Sequence, residues 1–243
     1  MRLIAWNANY NNHKHRTFEE NAELLFAEGA DLIVVSETAK PVDVVEDRLA
    51  FIGTGTPGLA VMVRNGYTLD PSSLNPKAPP LFGGFHVHGT VSFNLLAVWP
   101  VQTKGGVRYS QLLDQALDTF GDFLRDQRTV MIGDFNSSSR VLVQKDSHPV
   151  FVARIGALGL RSIYHSQTGQ PHGGEKVHTY RHHDAVKSRF HLDYCFLSPA
   201  LLDGANIRVL DGAKWETRSD HYPIVVDLTG DSKEPVGLSR PRS

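Results

Sequence analysis

The stretch Asp31-Leu32-Ile33-Val34-Val35-Ser36-Glu37 constrains the chain most, because its apolar residues are consecutive instead of alternating. A strand of this kind is buried on both faces, so its sheet needs a packed layer on each side. The residues before it supply one such layer. Thr17-Phe18-Glu19-Glu20 forms a capping box, in which the threonine hydroxyl and the glutamate carboxylate each satisfy a backbone donor left over at a helix start. Phe18, Ala22, Leu25 and Phe26 then share one helix face, and the helix ends near Gly29, which tolerates the left-handed cap conformation. With the strand-like opening from Met1 to Asn7, the order is strand, helix, strand.

The same alternation continues downstream. Residues 60–63 read as a strand, 67–85 as a Pro- and Gly-rich loop, and 85–98 as paired antiparallel strands. From Tyr109, Leu112, Leu113, Ala116, Leu117, Phe120, Phe123 and Leu124 recur at helical spacing, and Val130-Met131-Ile132 is the strand that follows. A further helix is expected near Pro149, with later strands at 190–197, 207–210 and 223–228. No repeat, linker or break in composition divides the chain, which predicts one domain over 1–229 and a polar, flexible tail over 230–243. A 41% hydrophobic content supplies its core and excludes disorder for the bulk.

Charge and cysteine content exclude several classes of function. The 25 Lys and Arg offset 26 Asp and Glu to a net charge of -1, so no strong overall positive field gathers polyanions. Cys195 is the only cysteine, which excludes a disulfide framework and a thiolate-rich metal cluster. No apolar run reaches the roughly 20 residues of a membrane-spanning helix. No charged leader precedes the opening strand, and the expectation is a soluble, cytoplasmic protein.

Polar residues gather where the expected strands end: Asn7 and Asn9, Glu37, Asp134 and Asn136, then Asp193, and Asp220-His221 ahead of the last strand. Strand ends of open sheets converge on clefts, where several carboxylates repel one another unless a cation neutralises them. Oxygen ligands of this type favour magnesium or manganese. Trp6-Asn7, Ser36-Glu37, Gly133-Asp134-Phe135-Asn136, His191-Leu192-Asp193-Tyr194 and Ser219-Asp220-His221-Tyr222-Pro223-Ile224 together resemble, in order, the motifs of the endonuclease/exonuclease/phosphatase family.

That resemblance implies a four-layered α/β sandwich of the deoxyribonuclease I-like type, with two central mixed sheets flanked by helices and Mg2+ or Mn2+ in a cleft at one edge. It implies Glu37 and Asp220 as metal ligands, with Asn9 either a weak ligand or a turn former. Asp134 matches the carboxylate that works on the attacking water or the leaving oxygen, and Asn136 orients that water or the phosphate. Gly-Asp-x-Asn is equally an ordinary turn sequence. His221 matches a phosphate- or nucleophile-binding histidine, Asp193 the carboxylate that fixes its tautomer, and Asn7 a contact to phosphate or metal-bound water.

Trp99 stands where relatives carry a tyrosine or histidine, and its indole is either a stacking surface or a packed core residue. Tyr109, Tyr180 and Arg181 complete the expected substrate contacts, with Lys187 and Arg189 adding positive charge nearby. His178, His182, His183 and His191 lack the spacing of a zinc site and read as a solvated loop. Loops 67–84 and 137–148 are expected to select the ligand. The function implied is a metal-dependent phosphodiesterase acting as an endonuclease or exonuclease on nucleic acid. A phosphatase or phosphodiesterase of a small phosphoester, such as an inositol phosphate, nucleotide or lipid head group, is the alternative. A binding module that has lost turnover is a third reading, against which stand Glu37, Asp134, Asp193 and His221.

Overall fold

A computed structural model describes residues 1–14, 16–71, 74–102, 107–182 and 189–229. The expected tail, His183 and Lys187 lie outside the described residues. The first half of the chain forms β1 (Arg2–Asn7), α1 (Phe18–Phe26), β2 (Leu32–Thr38), β3 (Leu49–Ile52), β4 (Gly58–Val63), β5 (Thr68–Asp70), β6 (Phe82–His88), β7 (Phe93–Val98) and α2 (Tyr109–Leu124). Then come β8 (Thr129–Asp134), α3 (Ser147–Ala157), β9 (Arg161–Ser162), α4 (Ile163–Thr168), β10 (Tyr180–Arg181) and β11 (Arg189–Phe190). The chain continues with β12 (Asp193–Leu197), α5 (Pro199–Leu202), β13 (Asn206–Val209), α6 (Ala213–Glu216) and β14 (Ile224–Asp227).

Two six-stranded mixed sheets result, ordered β13-β14-β1-β2-β4-β3 and β5-β6-β7-β8-β12-β9. The doubly apolar β2 behaves as its sequence requires. Leu32 and Val34 enter the core between the sheets, while Ile33 and Val35 pack in the layer under α1 with Phe18, Ala22 and Leu25. In the second sheet Val130 and Ile132 of β8 face the shared core, and Met131 packs with Leu113, Phe120 and Phe151 of α2 and α3. Helix, sheet, sheet and helix are therefore the four layers. The capping box is present: Glu20 N donates to Thr17 Oγ1 at 3.2 Å, and Thr17 N to Glu20 Oε2 at 3.0 Å.

β1 and β2 run parallel around α1, and β7 and β8 run parallel around α2. Parallel strands joined by a helix end on the same side. Asn7, Glu37 and Asp134 thus emerge together, and the antiparallel β12 brings Asp193 opposite Asp134 in register. Antiparallel β14 returns along β1, so the His221 that precedes it arrives at the same edge.

Where the expected elements differ, edge strands account for most of it. β3 and β5 close the two sheets at one end each, are four and three residues long, and owe their form to a neighbour more than to their own pattern. β5 and the start of β6 therefore lie inside the stretch read as loop. The strand expected over 190–197 is split by His191-Leu192, because Thr179 Oγ1 captures the backbone N–H groups of Leu192 and Asp193 at 2.9 and 3.0 Å.

His191 is also not in a solvated loop. It is 1% exposed beside Tyr194 and Tyr164, next to a group formed by His148, His165, His172 and Glu175. Burial pushes His148 from the ordinary 6.5 down to about 4 and His172 down to about 3. Burial alone would raise Glu175, but the bonds from His165 and the Gly173 N–H take it from 4.5 down to about 2. An unfolded chain accepts these protons at the ordinary values and the folded one resists, so stability falls as the solution becomes more acid. Loss should begin below pH 6.5 through the histidines and continue from 4.5 towards 2 through Glu175. Thermal midpoints measured across that window should drop, with a shallower decline in His148→Gln; a flat profile between pH 6.5 and 4 contradicts the assignment.

Candidate active site

At the shared strand edge, a cavity of about 280 Å³ is lined by Asn7, Glu37, Trp99, Tyr109, Asn136, Tyr180, Asp220 and His221, together with Asn11, Pro57, Pro100 and Val101. Asp134 and Asp193 are its buried foundation, each 1% exposed. Most residues singled out in the sequence therefore meet at one place. Asn9 and Arg181 do not line this cavity. They line an adjoining groove of about 470 Å³, which shares Tyr180 and Asp220 with it.

His221 Nδ1 donates to Asp193 Oδ2 at 2.9 Å, and its Nε2 lies 4.0 Å from Asp134 Oδ2. Burial alone would lower the imidazole's affinity for a proton, but the Asp193 and Asp134 carboxylates outweigh it and hold His221 above its ordinary value. Burial lifts Asp134 well above the usual carboxylate range; His221 pulls it down and Asp193 adds to the rise. The carboxylate is aimed by three donors: Asn7 Nδ2 and Asn136 Nδ2 reach Oδ2 at 2.9 and 3.1 Å, and Asn136 N reaches Oδ1 at 2.8 Å. The bond from Asn136 N makes the Gly-Asp-Phe-Asn segment the turn its composition predicts, and the same turn presents Asn136 to the cavity.

The hydroxyls of Tyr109 and Tyr180 stay protonated at neutral pH. Burial raises both, with Asp134 and Glu37 adding to Tyr109, and Asp220 first among the charges that push Tyr180 to about 12. The Tyr180 ring lies 4.6 Å from that of His221, to which its backbone forms an isolated bridge.

Backbone strain is concentrated here. Asn9, Glu37 and Asn136 all take φ of 49°, a left-handed conformation that is costly for a residue with a Cβ. At Glu37 it coincides with a register shift between Val35 and Thr38, and such irregularities turn a side chain out of its strand's alternation. Asn11 Nδ2 donates to the re-aimed Glu37 Oε1 at 2.8 Å. Glu37→Asn should remove the charge and relieve strain, since asparagine tolerates this conformation, by about 0.5–1 kcal/mol. The thermal midpoint is expected to hold or rise while divalent-cation affinity by calorimetry falls; a markedly lower midpoint means Glu37 is a structural residue.

Several expectations need correction or refinement. Asn9 is a turn former: its N–H donates to Asn7 Oδ1 at 2.9 Å and its own Oδ1 accepts from Asn12 at 2.8 Å. Trp99 is 4% exposed and packed in the core between the sheets, so it walls the cavity without offering a free ring face. Arg181 donates to Glu216 O at 3.0 Å and stacks over Tyr222 at 5.4 Å. Among the described residues, Asp134, Asp193 and His221 bring ligand atoms within 4.8 Å of one another here. No described residue of 67–84 or 137–148 lines the cavity.

Support came from residues with no assigned role. Asn11 positions Glu37, Thr179 positions Asp193, and Ser219 donates to Asn7 O at 2.7 Å while accepting from His221 N at 2.9 Å. Ser219 stands within the Ser-Asp-His motif and Thr179 directly precedes Tyr180 and Arg181, whereas Asn11 is marked only by its nearness to Asn7 and Asn9.

No protein-family model matches the chain, and no curated protein matches it. Solved structures do. An AP endonuclease from Archaeoglobus fulgidus superimposes with a TM-score of 0.69 at 16% identity, over 94% of this chain and 99% of that one. The 3′-5′ exonuclease NExo from Neisseria meningitidis gives 0.66 at 18% identity, over 94% and 99%. The chain has the deoxyribonuclease I-like fold. The endonuclease domain of TRAS1, a telomere-specific non-LTR retrotransposon, shares it at a TM-score of 0.66 and 16% identity, over 94% and 98%. In this deoxyribonuclease I-like sandwich the cavity occupies the edge where both sheets end. Among the described residues, no helix is long and apolar enough to cross a membrane.

Proposed function

We propose that the chain is a divalent-metal-dependent phosphodiesterase that cleaves nucleic acid, within one catalytic domain spanning residues 1–229. The observation that carries this reading is the hydrogen-bonded Asp193–His221 pair set against an Asp134 gripped by two asparagine amides, with His221, Asn7 and Asn136 all lining one cavity. Asp134, held above the usual carboxylate range, is the group suited to take a proton from water near neutral pH. His221, fixed by Asp193, donates from Nε2 to a non-bridging phosphoryl oxygen, and the Tyr109 and Tyr180 hydroxyls offer further donors. Asn7 and Asn136 keep Asp134 in its line of approach.

The cavity fits a hard cation. Its described lining includes Glu37 and Asp220 but no lysine or arginine, and Asp193 Oδ1 is buried with no partner among the described residues. Excess carboxylate of this kind favours magnesium or manganese, which Glu37, Asp220 and Asn7 would hold. Bound there, the ion supplies Lewis-acid polarisation of a phosphoryl oxygen.

A polymer suits the shape better than a small ester does, because the cavity opens into the groove past Tyr180 and Asp220. The likeness to an AP endonuclease, an exonuclease and a retrotransposon endonuclease domain supports the same choice. Plasmid nicking and cleavage of labelled DNA and RNA oligonucleotides, assayed beside inositol phosphates and nucleotides, test it. Cleavage of the oligonucleotides with magnesium and none with chelator is expected. Turnover of the small esters alone overturns the nucleic-acid reading, and no metal-dependent turnover of any substrate overturns the enzyme.

A further inference from the structure

We propose that His148, His165, His172 and Glu175 form a second metal site, separate from the cavity, that takes a four-coordinate transition-metal ion of the zinc type. One ligand atom from each of His165, His172 and Glu175 lies within 4.8 Å of the others. His165 Nε2 is 3.1 Å from Glu175 Oε1, and His148 Nε2 is 3.1 Å from His172 Nδ1, which brings the fourth side chain to the group. None of the four lines the cavity at the strand edge.

The surroundings orient these side chains as ligands need to be oriented. His165 Nδ1 bonds Ser162 Oγ at 2.7 Å and His148 Nδ1 bonds Ser137 Oγ at 2.9 Å. An ion bound here would displace the proton that His165 Nε2 shares with Glu175, each Nδ1–H would then donate to its serine, and each Nε2 would offer its lone pair. Both Glu175 oxygens accept from Gly173 N–H, at 2.9 and 3.0 Å, which fixes the carboxylate facing His165. A separate observation points the same way. The buried His191 packs beside this group, its ring centroid 6.2 Å from that of His165, and its Nε2 has no partner among the described residues. Imidazole crowding of this density is hard to justify by packing alone.

Donor chemistry selects the ion. Three imidazoles and one carboxylate match zinc and its neighbours, whereas magnesium prefers oxygen throughout. The rings of His165 and His172 are stacked at 3.5 Å, and two parallel rings cannot both point in-plane lone pairs at one ion. Binding therefore turns His172 out of the stack. That ring is only partly buried, in the chain following α4, and it lines a surface cavity of about 340 Å³ that gives an ion a way in. The ion would tie α3, α4 and the 169–179 segment together, and that segment ends on the Thr179 that holds Asp193.

Cobalt titration of the chelator-treated full chain tests the proposal, because four-coordinate cobalt absorbs visible light far more strongly than six-coordinate cobalt. One strongly absorbing equivalent is expected, displaced by zinc, and zinc should raise the thermal midpoint by about 5 °C or more at saturating excess. His172→Ala and His165→Gln should lose both effects, while Asp134→Asn should keep them. Weak, six-coordinate absorption in the parent protein overturns the proposal however the variants fold. Strong absorption that survives in His172→Ala and disappears in Asp134→Asn also overturns it, by placing the ion in the other cavity.

Discussion

Asp134→Asn is expected to lower kcat by about a thousandfold, roughly 4 kcal/mol of transition-state stabilisation, with KM little changed. Asparagine keeps the shape of the side chain and loses its basicity. Three donors from Asn7 and Asn136 converge on the carboxylate, so the fold spends both amides on aiming one group. Such aiming is what proton transfer requires, and a residue that only bound substrate would show its loss in KM. Single-turnover kinetics on an oligonucleotide, with circular dichroism to confirm folding, separate the two. A kcat within tenfold of the parent would mean that the proton leaves by another route.

The second large effect is on stability. Gly133 precedes Asp134 with φ of 147°, and a Cβ there would lie 2.1 Å from Val98 O. Val98 is paired with Gly133 across the parallel β7–β8 ladder, so neither strand can retreat without giving up its pairing. Gly133→Ala should therefore cost about 3 kcal/mol or more, adding backbone strain to steric overlap. Gly156 supplies the contrast, since it sits in α3 with nothing within 4 Å of the added methyl. Alanine at that position should stabilise by about 0.5–1 kcal/mol through helix propensity. Urea midpoints at constant slope would register both, and equal effects of the two substitutions would refute the close-approach argument.

The central strands were legible because their patterns are set by burial. β2 reads as consecutive apolar residues since it has a layer on each side, and the Thr17–Glu20 box announces α1 by its own chemistry. The site was legible as far as its residues end strands. Asn7, Asp134 and Asp193 are placed by the β ladders, so locating the strands located them, and Glu37 falls at the irregularity near the end of β2. What was not legible depends on contacts between distant residues. Nothing local marks Asn9 as already bonded to Asn12, or Trp99 as enclosed by both sheets. The histidine group was missed for the same reason: its members come from α3, α4 and the chain beyond, at separations that match no fixed ligand spacing.

The pairing of β1 with β14 joins residues at opposite ends of the sequence, and Met1 N donates to Leu228 O at 2.9 Å. Contacts of such long sequence separation form late, because loop closure must precede them. His221 belongs to the returning strand's approach, and Asn7 belongs to the departing one. During synthesis, the nascent polypeptide can assemble β2, β4 and the second sheet before the cavity at the strand edge is complete. Refolding experiments should accordingly find secondary structure restored ahead of turnover, with the final strand acting as the arming step.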